Sequence, residues 1–465
     1  MKDAIRSSLD RVSGLLFLGI TVAVVADAFD IWHLAGPIGA ALSLVVLAVL
    51  SVTVGGTGRI FLGVGVALIV GAEVWGQDPL GAIETALERA AFIAAFFTAL
   101  TSLRFAADTS PSITRAGRFL AAQPPGRRYL ALTLGGQMFA LLLNYGAIAL
   151  LGSLATASTR DEPEPERRRL RLKRMLLAIQ RGFISTLPWS PLGFAIAIST
   201  TVIPGANWAD AAPYCLASGI AFAGVGYALD QIFKPRLTGI APAIYTRSDG
   251  WSVLLPLLAL LGILAVLVIV LQSATGLRPF NIVMFVVPAI AGVWVMLQAK
   301  TAPLRALAQR SGRYLFHDLP AYRRELVLLM MAGFIGSLGS VLLTPLIEAS
   351  GIDLGRLPPW VILTALVWLI PLTGQIGMNP ILAVTLFIPA LPAPEAIEVS
   401  PIAYVVAITG GWAISGMTSP FTATTLLVGG FAGVSARHAG LVWNGWFALI
   451  MGVLYSIWAS VLTLL

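Results

Sequence analysis

Two eleven-residue stretches carry the chemistry that can be read from this chain. They are Arg181-Gly182-Phe183-Ile184-Ser185-Thr186-Leu187-Pro188-Trp189-Ser190-Pro191 and Gly410-Gly411-Trp412-Ala413-Ile414-Ser415-Gly416-Met417-Thr418-Ser419-Pro420, and they align without a gap. Each lies inside an apolar run long enough to cross a bilayer. A Ser-Pro pair at that depth suits the start of a new helix: Ser caps free N–H groups, and Pro fits the first helical position, where its missing N–H costs nothing. The expectation is two membrane helices broken near their centres, with Ser190-Pro191 and Ser419-Pro420 opening the second halves. A half-helix N-terminus offers N–H donors and about half a positive charge to an anion, and the carbonyl ends offer oxygens to a cation.

Two further interruptions have the same character. Asn144-Tyr145-Gly146 breaks the apolar stretch 129–155, and Gly377-Met378-Asn379-Pro380 breaks the stretch 360–391. The candidate substrate- and ion-binding residues are therefore Asn144, Tyr145, Gly146, Ser185, Thr186, Ser190, Pro191, Gly377, Met378, Asn379, Pro380, Ser415, Thr418, Ser419, Pro420 and Thr422. A sodium ion would draw on Asn144, Ser190, Asn379 and Ser419. No Asp, Glu, His, Lys or Arg occurs within 182–203, 374–390 or 401–435. A proton carrier needs a titratable group in the membrane interior, so oxygen-ligated Na+ is the favoured coupling ion. Asp27, Asp30 and Glu73 keep H+ as the alternative.

Composition sets the class. The chain has 465 residues, 57% of them hydrophobic and 11% charged, with a mean hydropathy of +0.87. It reads as an all-α polytopic membrane protein. The net charge of +8 reflects basic cytoplasmic loops rather than nucleic-acid binding. A lone Cys215 and three scattered histidines leave no material for a thiolate or histidine metal cluster, and no cofactor beyond the coupling ion is expected. A membrane-embedded enzyme would need paired carboxylates, a His cluster or an activated nucleophile at depth; none is visible. A channel filtered by the Asn, Ser and Thr tips is a second alternative.

The positive-inside rule is satisfied by about eleven spanning helices and two re-entrant hairpins, with the N-terminus cytoplasmic and the C-terminus outside. Residues 1–35 form an extra N-terminal helix. Residues 36–233 form a first repeat (hairpin about 129–155, broken helix about 175–203), and 234–251 a cytoplasmic linker. Residues 252–465 form a second repeat of inverted topology (hairpin about 360–391, broken helix about 401–434). Residues 78–88 read as interfacial, and the basic segments 115–128, 160–174 and 300–324 as loops. Gly136-Gln137 and Gly374-Gln375 occupy corresponding places in the two hairpins. Paired interruptions of this kind place a transporter's site at the midplane.

This layout resembles the ion transporter superfamily, and within it the divalent anion/sodium symporter architecture. The resemblance covers helix 2 onward and rests on the order of elements and on Asn144, Ser190-Pro191, Asn379-Pro380 and Thr418-Ser419-Pro420. It implies a homodimer with a scaffold and a moving transport domain, working as an elevator. Dicarboxylate members carry Ser-Asn-Thr at the hairpin tips, whereas this chain has Leu143-Asn144-Tyr145 and Met378-Asn379-Pro380. The expected function is Na+-coupled secondary transport of a small, carboxylate-like organic anion across a bacterial inner membrane. Partners are the solute, membrane lipid and a second copy, with an accessory binding protein left open; the exporter alternative has the same fold.

Overall fold

The computed structural model describes residues 2–76, 78–107, 110–234, 250–299, 301–350 and 353–464. The regular elements among the described residues are all helices, with no strand. In chain order the helices are α1 (Lys2–Ala28), α2 (Ala35–Ser51), α3 (Gly56–Trp75), α4 (Pro79–Ala107), α5 (Pro111–Ala121), α6 (Pro125–Leu143), α7 (Gly146–Thr159), α8 (Pro165–Ile184), α9 (Phe194–Val202), α10 (Trp208–Ile232), α11 (Leu255–Thr275), α12 (Pro279–Gln298), α13 (Pro303–Arg313), α14 (Arg323–Ala349), α15 (Pro359–Gly374), α16 (Pro380–Phe387), α17 (Pro401–Thr418), α18 (Ala423–Ala432) and α19 (Trp443–Val461).

Among the described residues, nine helices are long and apolar enough to cross a membrane. The protein is an integral membrane protein. Two of the expected eleven spans fall outside that set for plain reasons. Helix α2 is 17 residues long, and the α8–α9 span is interrupted, with Arg-rich first turns.

Helices divide between two compact units. The first takes Met1–Thr109, Leu264–Arg356 and Ile381–Ala393; the second takes Ser110–Ile263, Leu357–Pro380 and Pro394–Leu465. Each unit thus draws on both halves of the sequence instead of coinciding with one of them. Residues 235–249 of the expected linker, including Arg236, lie outside the described residues.

The first unit is built around α4, whose Ala86, Ala90, Ala91, Ala94, Ala95 and Ala99 are buried. Small side chains let neighbouring helices approach closely, as membrane packing without a hydrophobic drive requires. Helices α14 and α3 lie against one another where Gly65 meets the Met331 side chain. The Thr385 hydroxyl donates to Ile381 O at 2.8 Å and presses on Gly336 of α14. Asp27, Asp30 and Glu73 all belong to this unit and are exposed.

Several expectations need correction. Residues 79–88 are the first turns of α4 and not a segment apart from it, with Glu84, Thr85, Glu88 and Arg89 exposed and Ala86, Leu87 and Ala90 buried, a helical period. The three basic loops contain helices α5, the start of α8, and α13. Each opens with a proline in its first turn, Pro111, Pro165 and Pro303, where the fixed φ favours helix. Of the expected N-terminal helical segment 1–35, α1 takes Lys2–Ala28 and α2 already begins at Ala35.

Candidate functional site

The second unit gathers the two hairpin tips and the two breaks. The first tip forms because Asn144, at the end of α6, has φ 49° and ψ −131°. Tyr145 follows in the right-handed region and α7 starts at Gly146. A positive φ is uncommon outside glycine, and Asn is among the residues that tolerate it best. The second tip turns through Gly377 at φ 94°. Helix α16 then starts at Pro380 directly after Asn379, as the Asn-Pro pair predicts.

The breaks lie where the Ser-Pro pairs are, but the pairs do different work from that expected. Helix α8 ends at Ile184 and α9 does not begin until Phe194, with Gly193 at the cap position. Helix α17 ends at Thr418 and α18 begins at Ala423, with Thr422 at the cap position. Neither Ser190-Pro191 nor Ser419-Pro420 opens a helix. The residue before proline is pushed out of the helical region, and Ser419 accordingly sits at φ −65°, ψ 128°. Each serine hydroxyl instead accepts the N–H two residues on, Leu192 at 3.1 Å for Ser190 and Phe421 at 3.3 Å for Ser419. Short serine turns of this kind compete with helix for the backbone. The serine amides also match, Ser190 donating to Thr186 O and Ser419 to Ser415 O, both at 2.9 Å.

Each hairpin is clamped to its neighbouring break in corresponding fashion. Helix α6 crosses α8 with Gly136 against Gly182, where a Cβ at Gly136 would lie 3.0 Å from Ile179 O. Helix α15 crosses α17 at Gly411, where a Cβ would lie 2.9 Å from Leu366 O. Beside the first crossing, Gln137 Nε2 donates to Ser185 Oγ at 2.7 Å, and Ser185 in turn donates to Gly182 O at 2.7 Å. Beside the second, Gln375 Nε2 donates to Thr418 Oγ1 at 3.3 Å, and Ser419 Oγ donates to Gly374 O at 2.6 Å.

The two breaks also meet. A Cβ at Gly416 would lie 2.9 Å from the Ile184 side chain and 3.4 Å from that of Leu187. Past the breaks the half-helices exchange neighbours: α9 packs on α17, and α18 packs on α7 and α8. Tyr145, 42% exposed, stacks on Phe183 with ring centroids 5.2 Å apart.

Most of the candidate residues are thereby brought to one region. Thr186 is buried with its hydroxyl on Phe183 O at 2.7 Å. Thr422 donates to Gly416 O at 3.0 Å. Ser415 is fully buried, and its Oγ has no partner; the Oε1 of Gln375 is likewise buried and unpartnered. Gly377 faces the Phe421 ring, and the Met378 amide donates to Thr373 O at 3.1 Å. Pro191 and Pro420 stand inside the breaks, Gly146 and Pro380 at helix starts. Trp189 is a packing residue, pressed on Gly219 of α10, with its carbonyl accepting from Trp208 Nε1 at 3.2 Å.

Sequence reasoning missed four contributors. Gln137 and Gln375 were visible as matched polar residues in apolar runs, and their spacing from the glycines was the signal. Thr424 and Thr425 bond back to the second break, Thr424 to Gly416 O and Thr425 to Ser419 O at 2.6 Å. The arrangement can present backbone N–H groups to an anion and hydroxyl and amide oxygens to a cation, with no carboxylate, histidine or nucleophile-base pair among the candidate residues. Among the described residues no group of His, Cys, Asp or Glu could hold a metal ion.

No family model matches the chain. No curated protein matches it either. Solved structures do. The chain resembles the YdaH transporter of Alcanivorax borkumensis, described as having an unusual topology, at 17% identity and a TM-score of 0.58, covering 88% of this chain and 98% of that one. It resembles MtrF of Neisseria gonorrhoeae, described with a class of antimetabolite efflux pumps, at 15% identity and a TM-score of 0.55, covering 89% of this chain and 96% of that one. These likenesses do not carry the narrower divalent anion/sodium symporter identification; what they establish is the coarser reading, that this chain has the fold of a membrane transporter.

Proposed function

We propose that the protein is a secondary active transporter of a small, anionic, carboxylate-like organic solute, coupled to Na+. The observation that carries this reading is the double clamp: Gln137 on Ser185 at 2.7 Å and Gln375 on Thr418 at 3.3 Å, holding two breaks that touch at Gly416. Uncoiled backbone at membrane depth is tolerated only where it is buried in protein or lines a cavity, and two such breaks in corresponding halves mark a transporter's binding site. The unpartnered oxygens of Ser415 and Gln375 suit a hard monovalent cation, with Asn144, Ser190, Asn379 and Ser419 as further oxygen donors. The two sequence halves act as inverted repeats, the second unit moves as an elevator, and the working form is a homodimer in a bacterial inner membrane.

Export stands as a second reading, favoured by the likeness to MtrF, which is described as an efflux pump. Proteoliposomes loaded with candidate organic anions separate the two by direction of flux. Replacement of Na+ by choline at fixed pH is expected to abolish uptake. Uptake that persists unchanged would end the sodium coupling and return attention to Asp27, Asp30 and Glu73.

A further inference from the structure

Arg181 is a buried cation in the second unit that the solute site, as described so far, does not use. It lies in the last turn of α8, one turn before Ser185, and is 5% exposed. Its Nε donates to Asn444 Oδ1 at 3.0 Å. Its Nη1 donates to the Tyr129 hydroxyl at 3.2 Å and to Gly226 O at 3.4 Å. Its guanidinium stands 4.4 Å from the Phe447 ring centroid. All of these partners are neutral. The carboxylate on the adjacent helix, Asp230, is taken by Arg174 through two bonds of 2.8 and 2.6 Å. Among the described residues no ion pair reaches Arg181. Neutral donors and acceptors satisfy its N–H groups but leave its charge standing, and burying such a charge is expensive.

Packing does not require that charge. The aligned stretches put Gly410 in the second half where Arg181 stands in the first. Both positions face α19: Arg181 under Phe447, Gly410 directly under the ring of Tyr455. One contact is made by a guanidinium and the other by a bare Cα. The last turn of α17 carries no basic residue. The two breaks are therefore matched in backbone and unlike in charge. At the first, Arg181 outweighs the roughly half negative charge of the α8 carbonyl end. At the second, neutral hydroxyls alone meet the carbonyl end, those of Thr422 and Thr424 on Gly416 O, and two buried oxygens, Ser415 Oγ and Gln375 Oε1, are unpartnered.

We propose that Arg181 makes the first break the place where the carboxylate of the solute is accepted: its ion-pair-free guanidinium, one turn beneath Ser185 and Thr186, favours that carboxylate through its field. It acts as a positioning charge, without touching the solute. The inference rests on the reading of the tips and breaks as a solute site. A unit charge pair about 10 Å apart at an effective dielectric near 20 changes affinity by roughly tenfold.

The test is thermal stabilisation of the purified full-length protein by paired probes, benzoate with benzamide and succinate with succinamide, in wild type, R181K and R181Q. Expected is carboxylate stabilisation in wild type and R181K, about tenfold weaker apparent affinity in R181Q, and no change for the amides. Equal carboxylate affinity in wild type and R181Q overturns the proposal while leaving the solute site intact. If R181Q does not fold, N444D, which sets a carboxylate against the guanidinium where Asn444 Oδ1 now accepts from Arg181 Nε, takes its place: weaker carboxylate affinity than wild type supports the proposal, and unchanged affinity overturns it. If no carboxylate stabilises wild type, the solute reading falls and the inference falls with it.

Discussion

Gly182 of α8 lies so close to the carbonyl of Thr133 on α6 that an added Cβ would overlap that oxygen. Backbone stands against backbone there, so nothing flexible can give way. Gly182→Val is expected to cost about 1–3 kcal/mol, the range for forced overpacking, and to lower the unfolding midpoint in detergent. Gly411→Val, facing Leu366 O at 2.9 Å and Val367 O at 3.1 Å, should do the same. Gly224→Ala is the control, because nothing lies within 4 Å of its Cβ; relief of glycine entropy should leave it level or slightly stabilised. Equal midpoints for all three variants would contradict the close crossing.

Asn144 separates strain from ligation. At φ 49° a glycine sits more easily than any L-residue, and a branched or bulky side chain costs about 1–3 kcal/mol. Asn144→Gly should therefore unfold no earlier than wild type, and Asn144→Leu earlier. If the amide holds solute or ion, N144G loses transport despite intact folding. A fully active N144G would remove Asn144 from the ligand set and leave it a turn residue.

The two glutamines predict an asymmetry between otherwise matched clamps. Gln137→Leu removes a 2.7 Å bond to Ser185, worth about 1 kcal/mol net. Gln375→Leu removes bonds of 3.3 Å to Thr418 and 3.1 Å to Pro371 O and also a buried oxygen without a partner. Deleting an unsatisfied group offsets part of the lost bonding, so Q375L should lose less thermal stability than Q137L without Na+. It should also lose the extra stability that Na+ confers on wild type. Q375L as destabilised as Q137L would mean that Oε1 has a partner after all.

The breaks were legible because membrane helices have few reasons to contain Asn-Tyr-Gly, Asn-Pro or Ser-Pro, and each of those sites interrupts a helix. Their detail was not. Whether Ser190 caps α9 or closes a turn on Leu192 depends on which N–H the hydroxyl reaches, and helix begins three residues later than the pattern suggested. The Arg-rich segment before Met175 hid a helix because hydropathy sees only its charge, whereas Pro165 and the buried face after Lys173 decide its conformation. The Gln180–Arg181–Asn444 cluster was out of reach altogether. Asn444 donates to Gln180 Oε1 at 2.9 Å across 264 residues of sequence, and nothing near Asn444 announces it.

The Arg174–Asp230 pair tests how deeply that side of the second unit is buried. The bonds are bidentate at 2.8 and 2.6 Å, but the two side chains are 25% and 5% exposed, so the partners are not equivalent. Arg174, which its bond to Asp230 holds firmly in the charged form, can still reach water if left alone; the carboxylate cannot. Asp230→Asn keeps a hydrogen-bonding oxygen and leaves the charge on the more exposed partner, for a cost of about 1–2 kcal/mol. Arg174→Gln strands the buried carboxylate, for a cost in the range of about 3–5 kcal/mol. Unfolding midpoints should therefore fall further in R174Q than in D230N, and the double variant R174Q/D230N should recover most of the loss. R174Q milder than D230N would place Asp230, not Arg174, at the wetter end of the pair.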